Sequence, residues 1–222
     1  MMKKLTRYLG SLLIITLAFV GLAKPAAAAD THAFKAQNGT VQVPNHPKRV
    51  VAGLYLGQVM SLGVNVVGST KLEMQNPYLS QRKVASIKDV GTPMNAETVM
   101  KLKPDLIITS TDSDTKKMEK IAPTVEIPYT KTQQLYPSLN YFAKLLNRKS
   151  QATAFKKSFQ KASNKQAARL KKAGISTKKT IGIYEMQSGK LYAYGTGFSR
   201  GGQALTVGLN FSLPKSLKKV DS

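Results

Sequence analysis

The stretch Leu102-Lys103-Pro104-Asp105-Leu106-Ile107-Ile108-Thr109-Ser110 decides the fold. Lys103-Pro104 ends any helix before it, because proline lacks an N–H and restricts the residue that precedes it. Leu106, Ile107 and Ile108 form an uninterrupted apolar run, which predicts a strand buried on both faces. That strand opens at its carboxyl end into Ser110, Thr111 and Asp112. Immediately upstream, residues 95–102 read as a helix, with Asn95 as N-cap and Glu97 in the first turn, where the helix dipole favours an anion.

The same texture extends in both directions. Arg49-Val50-Val51-Ala52-Gly53 has the β-branched, turn-bounded look of a buried strand, preceded by a loop at Asn45-His46-Pro47-Lys48. Residues 55–62 predict a short helix closed by Gly63, and residues 64–68 another strand. Residues 69–83 read as a long polar loop interrupted by Asn76-Pro77, and Asp89-Val90-Gly91-Thr92-Pro93 as a turn. Downstream, residues 115–121 predict a helix and residues 124–127 a fourth strand. Strands alternating with helices imply right-handed crossovers and a small parallel sheet covered on both faces. Such sheets bind ligands at the carboxyl ends of their strands.

From Leu135 the pattern changes. Residues 135–174 contain no glycine until their end and one proline, Pro137, with apolar residues at Leu139, Phe142, Leu145, Leu146, Ala152, Phe155 and Phe159. This spacing suits one long helix, or two broken near Asn147. A strand pair is then expected, residues 179–185 and 190–195 about a turn at Ser188-Gly189. After it come a glycine-rich loop holding Phe198 and Arg200 and a helix start at residues 203–209.

The charge is uneven. Against 34 Lys and Arg stand 11 Asp and Glu, a formal charge of +23, and no acidic residue lies between Glu126 and Glu185. Lys156, Lys157, Lys161, Lys165, Arg169, Lys171 and Lys172 read as the solvated face of the long helix, giving solubility and a diffuse attraction to an anionic cell envelope. A nucleic-acid stripe would need interleaved aromatics or a recognised motif, and neither is present. The absence of cysteine excludes disulfide modules, zinc ribbons and thiol enzymes.

The first residues point to export. Lys3, Lys4 and Arg7 precede an uncharged run over residues 8–23, followed by Lys24, Pro25 and alanines up to Ala29, the pattern of a secretory signal spanning residues 1–29. The run falls short of the roughly 20 residues that span a bilayer, so a retained anchor is the second reading.

Five motifs in order, Pro47-Lys48-Arg49-Val50-Val51, Leu62-Gly63-Val64-Asn65-Val66-Val67-Gly68, Val90-Gly91-Thr92-Pro93, Asn95-Ala96-Glu97 and Leu102-Lys103-Pro104-Asp105-Leu106-Ile107-Ile108, resemble the iron-siderophore and vitamin B12 substrate-binding proteins of ABC importers. Ile121-Ala122-Pro123-Thr124-Val125 and the segment Leu191-Tyr192-Ala193-Tyr194-Gly195-Thr196-Gly197-Phe198-Ser199-Arg200-Gly201-Gly202 look most like the ferric-hydroxamate binders of Gram-positive bacteria. The resemblance implies an α/β, bilobal fold with a long interlobe helix. Its parts would be an N-terminal lobe at residues 30–134, a connecting helix at 135–174 and a second lobe beginning at 175–222. On that family's pattern the second lobe is expected to be incomplete, truncated at its carboxyl end.

The resemblance also implies a site. Tyr192, Phe198 and Arg200 would reach the siderophore from the second lobe, and Tyr129 would face it from the first. A guanidinium donates in a fork to the partly negative hydroxamate oxygens around ferric iron, and aromatic faces cover the apolar scaffold. Relatives usually carry Trp where Phe198 stands, which leaves less stacking area here. Each residue also has a plainer role: Tyr129 and Tyr194 as packing at strand ends, Arg200 as a solvated loop charge. Glu97 would meet arginines of the permease, beside its role in the helix dipole. Iron would be carried as a ferric siderophore, with no intrinsic cofactor.

Other classes fit less well. A zinc or manganese binder needs histidines and carboxylates at the cleft, whereas His32 and His46 precede the first expected strand. A hydrolase needs a nucleophile with a base; Ser110 and Asp112 have no histidine to serve them, so no enzyme is expected. The remaining alternatives are a binder of another iron chelate, haem or cobalamin, and a truncated product without transport activity.

Overall fold

The computed structural model describes residues 30–195 and 202–218. The expected signal at residues 1–29, together with Phe198 and Arg200, lies outside the described residues.

Five parallel strands form the central sheet in the order β5-β4-β3-β6-β7, from β3 (Val50–Val51), β4 (Val66–Ser69), β5 (Lys88–Asp89), β6 (Leu106–Thr109) and β7 (Thr124–Glu126). Side chains alternate across a strand, so neighbours in sequence enter different cores. Val50, Leu106, Ile108 and Val125 pack on one face with Leu56 and Val59 of α1 (Leu56–Ser61) and Leu139 and Phe142 of a later helix. Val51 and Ile107 pack on the other with Val99 of α4 (Ala96–Lys101) and Met118 of α5 (Asp112–Met118). This is the two-faced parallel sheet that the apolar run around Ile107 predicts. Residues 69–83, expected as loop, contain two single-turn helices, α2 (Lys71–Met74) and α3 (Gln81–Val84).

Asp105 explains why the opening stretch and the Pro47-Lys48-Arg49 motif occur together. Its carboxylate accepts the backbone N–H groups of Lys48 at 2.6 Å and Arg49 at 2.9 Å, so the loop entering β3 is tied to the residue before β6. Asn95 caps α4 as expected, accepting the Thr98 N–H at 2.8 Å.

Further features depart from the sequence expectation. An antiparallel hairpin, β1 (Thr31–Ala36) and β2 (Gly39–Pro44), precedes the sheet, so His32 lies in a strand rather than ahead of the first one. The hairpin buries only Phe34 and Val43, too sparse an apolar pattern to read as alternation. Its turn covers the sheet edge: Asn38 donates to Thr124 O at 3.0 Å and accepts the Glu126 N–H at 3.0 Å, occupying ladder groups that β7 would otherwise leave free. Another departure is that the fifth helix starts at Asp112, capped by Thr111, three residues before the expected start.

The helical segment is two helices, α6 (Leu135–Leu145) and α7 (Lys149–Lys172). Asn147 lies between them at φ 52°, a left-handed conformation that Asn tolerates better than most residues. Beyond α7, β8 (Ile183–Gln187) and β9 (Lys190–Tyr194) form the expected hairpin about Ser188 and Gly189, both at positive φ. A π-helical turn, Ala204–Gly208, stands where a helix start is expected. It rests on α7 at Gly208, where a Cβ would lie 2.8 Å from Ser163 Oγ and 3.1 Å from the Phe159 ring. A short helix, α8 (Lys215–Lys218), ends the described residues.

Candidate ligand site at the carboxyl edge of the sheet

The strand order reverses between β3 and β6, and doubly wound sheets open a crevice at the carboxyl ends of such a pair. Here the turn leaving β3 comes very close to the backbone of β6. Gly53 sits at φ 46°, and a Cβ there would stand 2.8 Å from the carbonyl oxygen of Ile108, so only glycine fits without displacing backbone. Ser69 Oγ donates to Gly53 O at 2.7 Å, fixing the same turn from β4. Thr70, next along, is buried with an Oγ that has no hydrogen-bond partner among the described residues.

Tyr129 is positioned from beneath by this edge. Ile127 donates its N–H to Thr109 O at 2.9 Å, and its carbonyl accepts the hydroxyl of buried Tyr55. Pro128 then leads into a 3₁₀ turn, Tyr129–Thr132, in which the Thr132 hydroxyl donates to Tyr129 O at 2.7 Å. The Tyr129 side chain is about half exposed, at 52%. Burial raises the Tyr55 phenol well above its ordinary value, with the charge of Glu73 adding to the effect. Burial likewise raises the Glu73 carboxyl, against the opposing hydrogen bonds from the Leu56 and Gly57 N–H groups at the start of α1.

Tyr192 lies on β9 opposite Glu185 of β8 and is 41% exposed. Its neighbour on that face, Tyr194, is buried and donates its hydroxyl to Glu185, which is the packing role considered for it. Glu97 is exposed in the first turn of α4 and pairs with Lys101 one turn on at 2.6 Å. Among the described residues no cluster of His, Asp and Glu could hold a metal ion.

A groove that the sequence reading missed adjoins this edge. It encloses about 600 Å3 beside α1, lined by Gln58, Tyr78, Leu79, Thr132, Leu135 and Phe155, and it takes in Gln203 as well. Gln203 accepts the Leu135 N–H at 3.1 Å. Tyr78 is 94% exposed. An aromatic followed by an aliphatic residue inside an otherwise polar segment was the available signal.

A family model described as periplasmic binding protein matches residues 52–213. The protein belongs to the periplasmic binding protein family. Among its relatives in that family is the iron(3+)-hydroxamate-binding protein YxeB of Bacillus subtilis, 36% identical over 221 residues, covering 94% of this chain and 68% of the relative. A solved B. subtilis periplasmic binding protein, described as a component of a Fep/Fec-like ferrichrome ABC transporter, superposes with a TM-score of 0.72 at 36% identity, over 84% of this chain and 68% of its own. FhuD2 of Staphylococcus aureus, solved with bound ferrioxamine B, gives 0.65 at 28% identity, over 78% and 67%. The sequence therefore spans about two thirds of the length of these family members. Periplasmic binding proteins capture substrates without transforming them, and this protein is a binding protein, not an enzyme.

Proposed function

We propose that this protein is the extracytoplasmic solute-binding component of an ABC importer, binding a ferric hydroxamate siderophore between two lobes and delivering it to a permease. The observation that carries the reading is the half-exposed Tyr129 at the carboxyl edge of a doubly wound sheet, in a family member that matches a hydroxamate-binding protein over 94% of its own length. Residues 30–134 serve as the first lobe, 135–174 as the connecting helical segment, and 175–222 belong to the second. Tyr129 covers one side of the ligand; Tyr192, Phe198 and Arg200 cover the other.

The chemistry follows from the cargo. Hydroxamate oxygens shared with ferric iron keep acceptor capacity outward, to which phenols and a guanidinium donate, while ring faces cover the methylene linkers. Iron is cargo, enclosed by its chelator before the protein meets it, so no protein ligand to the metal is needed. Glu97, exposed at a helix start, is the docking carboxylate for permease arginines. The excess positive charge adds a diffuse attraction to the anionic envelope.

The protein has no tryptophan and 9 tyrosines, so ligand binding reads out directly in tyrosine emission. Saturable quenching on titration with ferrioxamine B at micromolar concentration is expected. An intact circular dichroism spectrum with no quenching would overturn the assignment. Arg200→Ala is expected to weaken binding at least tenfold, the loss of a charge-assisted hydrogen bond worth about 1.5–3 kcal/mol. Unchanged affinity would return Arg200 to the solvent.

A further inference from the structure

The basic residues of α7 are arranged in a way that a solvated face does not require. The helix carries eight Lys and Arg and no Asp or Glu. Lys157, Lys161, Lys165 and Arg169 follow one another at four-residue intervals, all exposed, forming a ladder with a rise of about 6 Å per rung. Lys172 stands one turn beyond Arg169, and Lys171 and Lys149 widen the ridge; Lys156 instead turns back over the Tyr136 ring, 5.6 Å from its centre. The opposite side of the helix, with Ala152 and Ser163, is buried against the protein.

This pattern works against the helix that bears it. Like charges four residues apart repel, and three such pairs occur in the ladder alone. Lys149 places a cation at the helix start, where the dipole disfavours it, and the first turn holds no acid. Among the described residues the ion pairs are Glu97 with Lys101 and Asp112 with Lys116, neither on α7. A face meant only for solubility is served as well by mixed signs, which would turn the repulsion into i,i+4 attraction.

We propose that α7 is a docking ridge for a linear phosphate-bearing polyanion. The geometry favours a flexible polymer over a membrane. The cations spread around more than half of the helix circumference, so a flat headgroup surface reaches only part of them while a linear polymer can follow the ridge. A helix that binds membranes also needs apolar side chains beside its basic ones, and here the apolar residues Ala152, Phe155 and Phe159 lie on the packed side. The proposal rests on the envelope attraction stated above, which it localises, and does not depend on siderophore binding.

The test uses the full-length protein and end-labelled long-chain inorganic polyphosphate, with anisotropy read from low to physiological salt. The parent protein is expected to bind with affinity falling steeply as salt rises. Lys157→Gln/Lys161→Gln/Lys165→Gln should weaken binding at least tenfold at low salt and flatten the salt dependence. Its melting temperature should equal or exceed the parent's, because the repulsion is relieved. The control Lys35→Gln/Lys88→Gln/Lys120→Gln removes the same charge from exposed positions on other elements and should change binding less than twofold. Equal weakening by both triples would leave the diffuse attraction standing and overturn the ridge. Tighter ladder-dependent binding to phosphatidylglycerol vesicles than to polyphosphate would overturn the polymer as partner, as would no polyphosphate binding by the parent protein.

Discussion

Single residues at the carboxyl edge carry more of the site than their sequence context shows. Tyr55 joins the start of α1 to the end of β7 through its hydroxyl on Ile127 O, and so braces the turn that presents Tyr129. Tyr55→Phe should cost about 1–3 kcal/mol in urea unfolding, since it leaves a buried carbonyl without a donor; no change would show that water replaces the phenol. Glu73 gives a pH signature. Its carboxyl is raised by burial, so the protonated form is favoured in the fold. That stability is complete below the ordinary carboxylate range of about 4.3 and is lost as pH rises through the raised value. Glu73→Gln, which stays neutral and still accepts from Leu56 and Gly57, should therefore gain melting temperature relative to the parent between about pH 4 and pH 7. A constant difference across that range would mean that Glu73 is solvated in the fold. Tyr129 and Tyr192 could be picked out only through the family resemblance of the motifs around them, since a tyrosine near a strand end reads equally well as packing. Tyr78 was missed because the Tyr78-Leu79 pair sits in a mostly polar segment and nothing local says that Phe155, far along the chain, lines the same groove.

The elements were legible wherever one local rule dominated. The apolar run at Leu106, Ile107 and Ile108 gave a strand and Asn95 gave a cap, whereas residues 135–174 read equally as one helix or as two broken near Asn147, and the second reading is the one observed. Asn95→Ala should lower stability by about 1 kcal/mol, measured by thermal or urea unfolding, as for other lost N-caps. The hairpin β1–β2 escaped notice because its order comes from a distant edge: Asn38 docks on β7, 86 residues away. Likewise Asp105 reads as an ordinary charge after a proline, yet it holds the backbone entering β3. Such pairings are set by tertiary contact, and no local pattern encodes them.

At the scale of the molecule, the parallel sheet with helices on both faces was readable from the alternation of elements, and its carboxyl edge followed from the strand order that the structure supplies. The positive charge was readable as a total but not as a ladder, because a helix must be in place before four-residue spacing becomes a line on its surface. The central claim concerns the ligand, and isothermal titration calorimetry of the purified protein with ferrioxamine B, haem and cyanocobalamin in parallel tests it most directly. Saturable heat with ferrioxamine B at micromolar concentration or below, and none with the other two, is the predicted result. Binding of cyanocobalamin or haem without ferrioxamine B would contradict it.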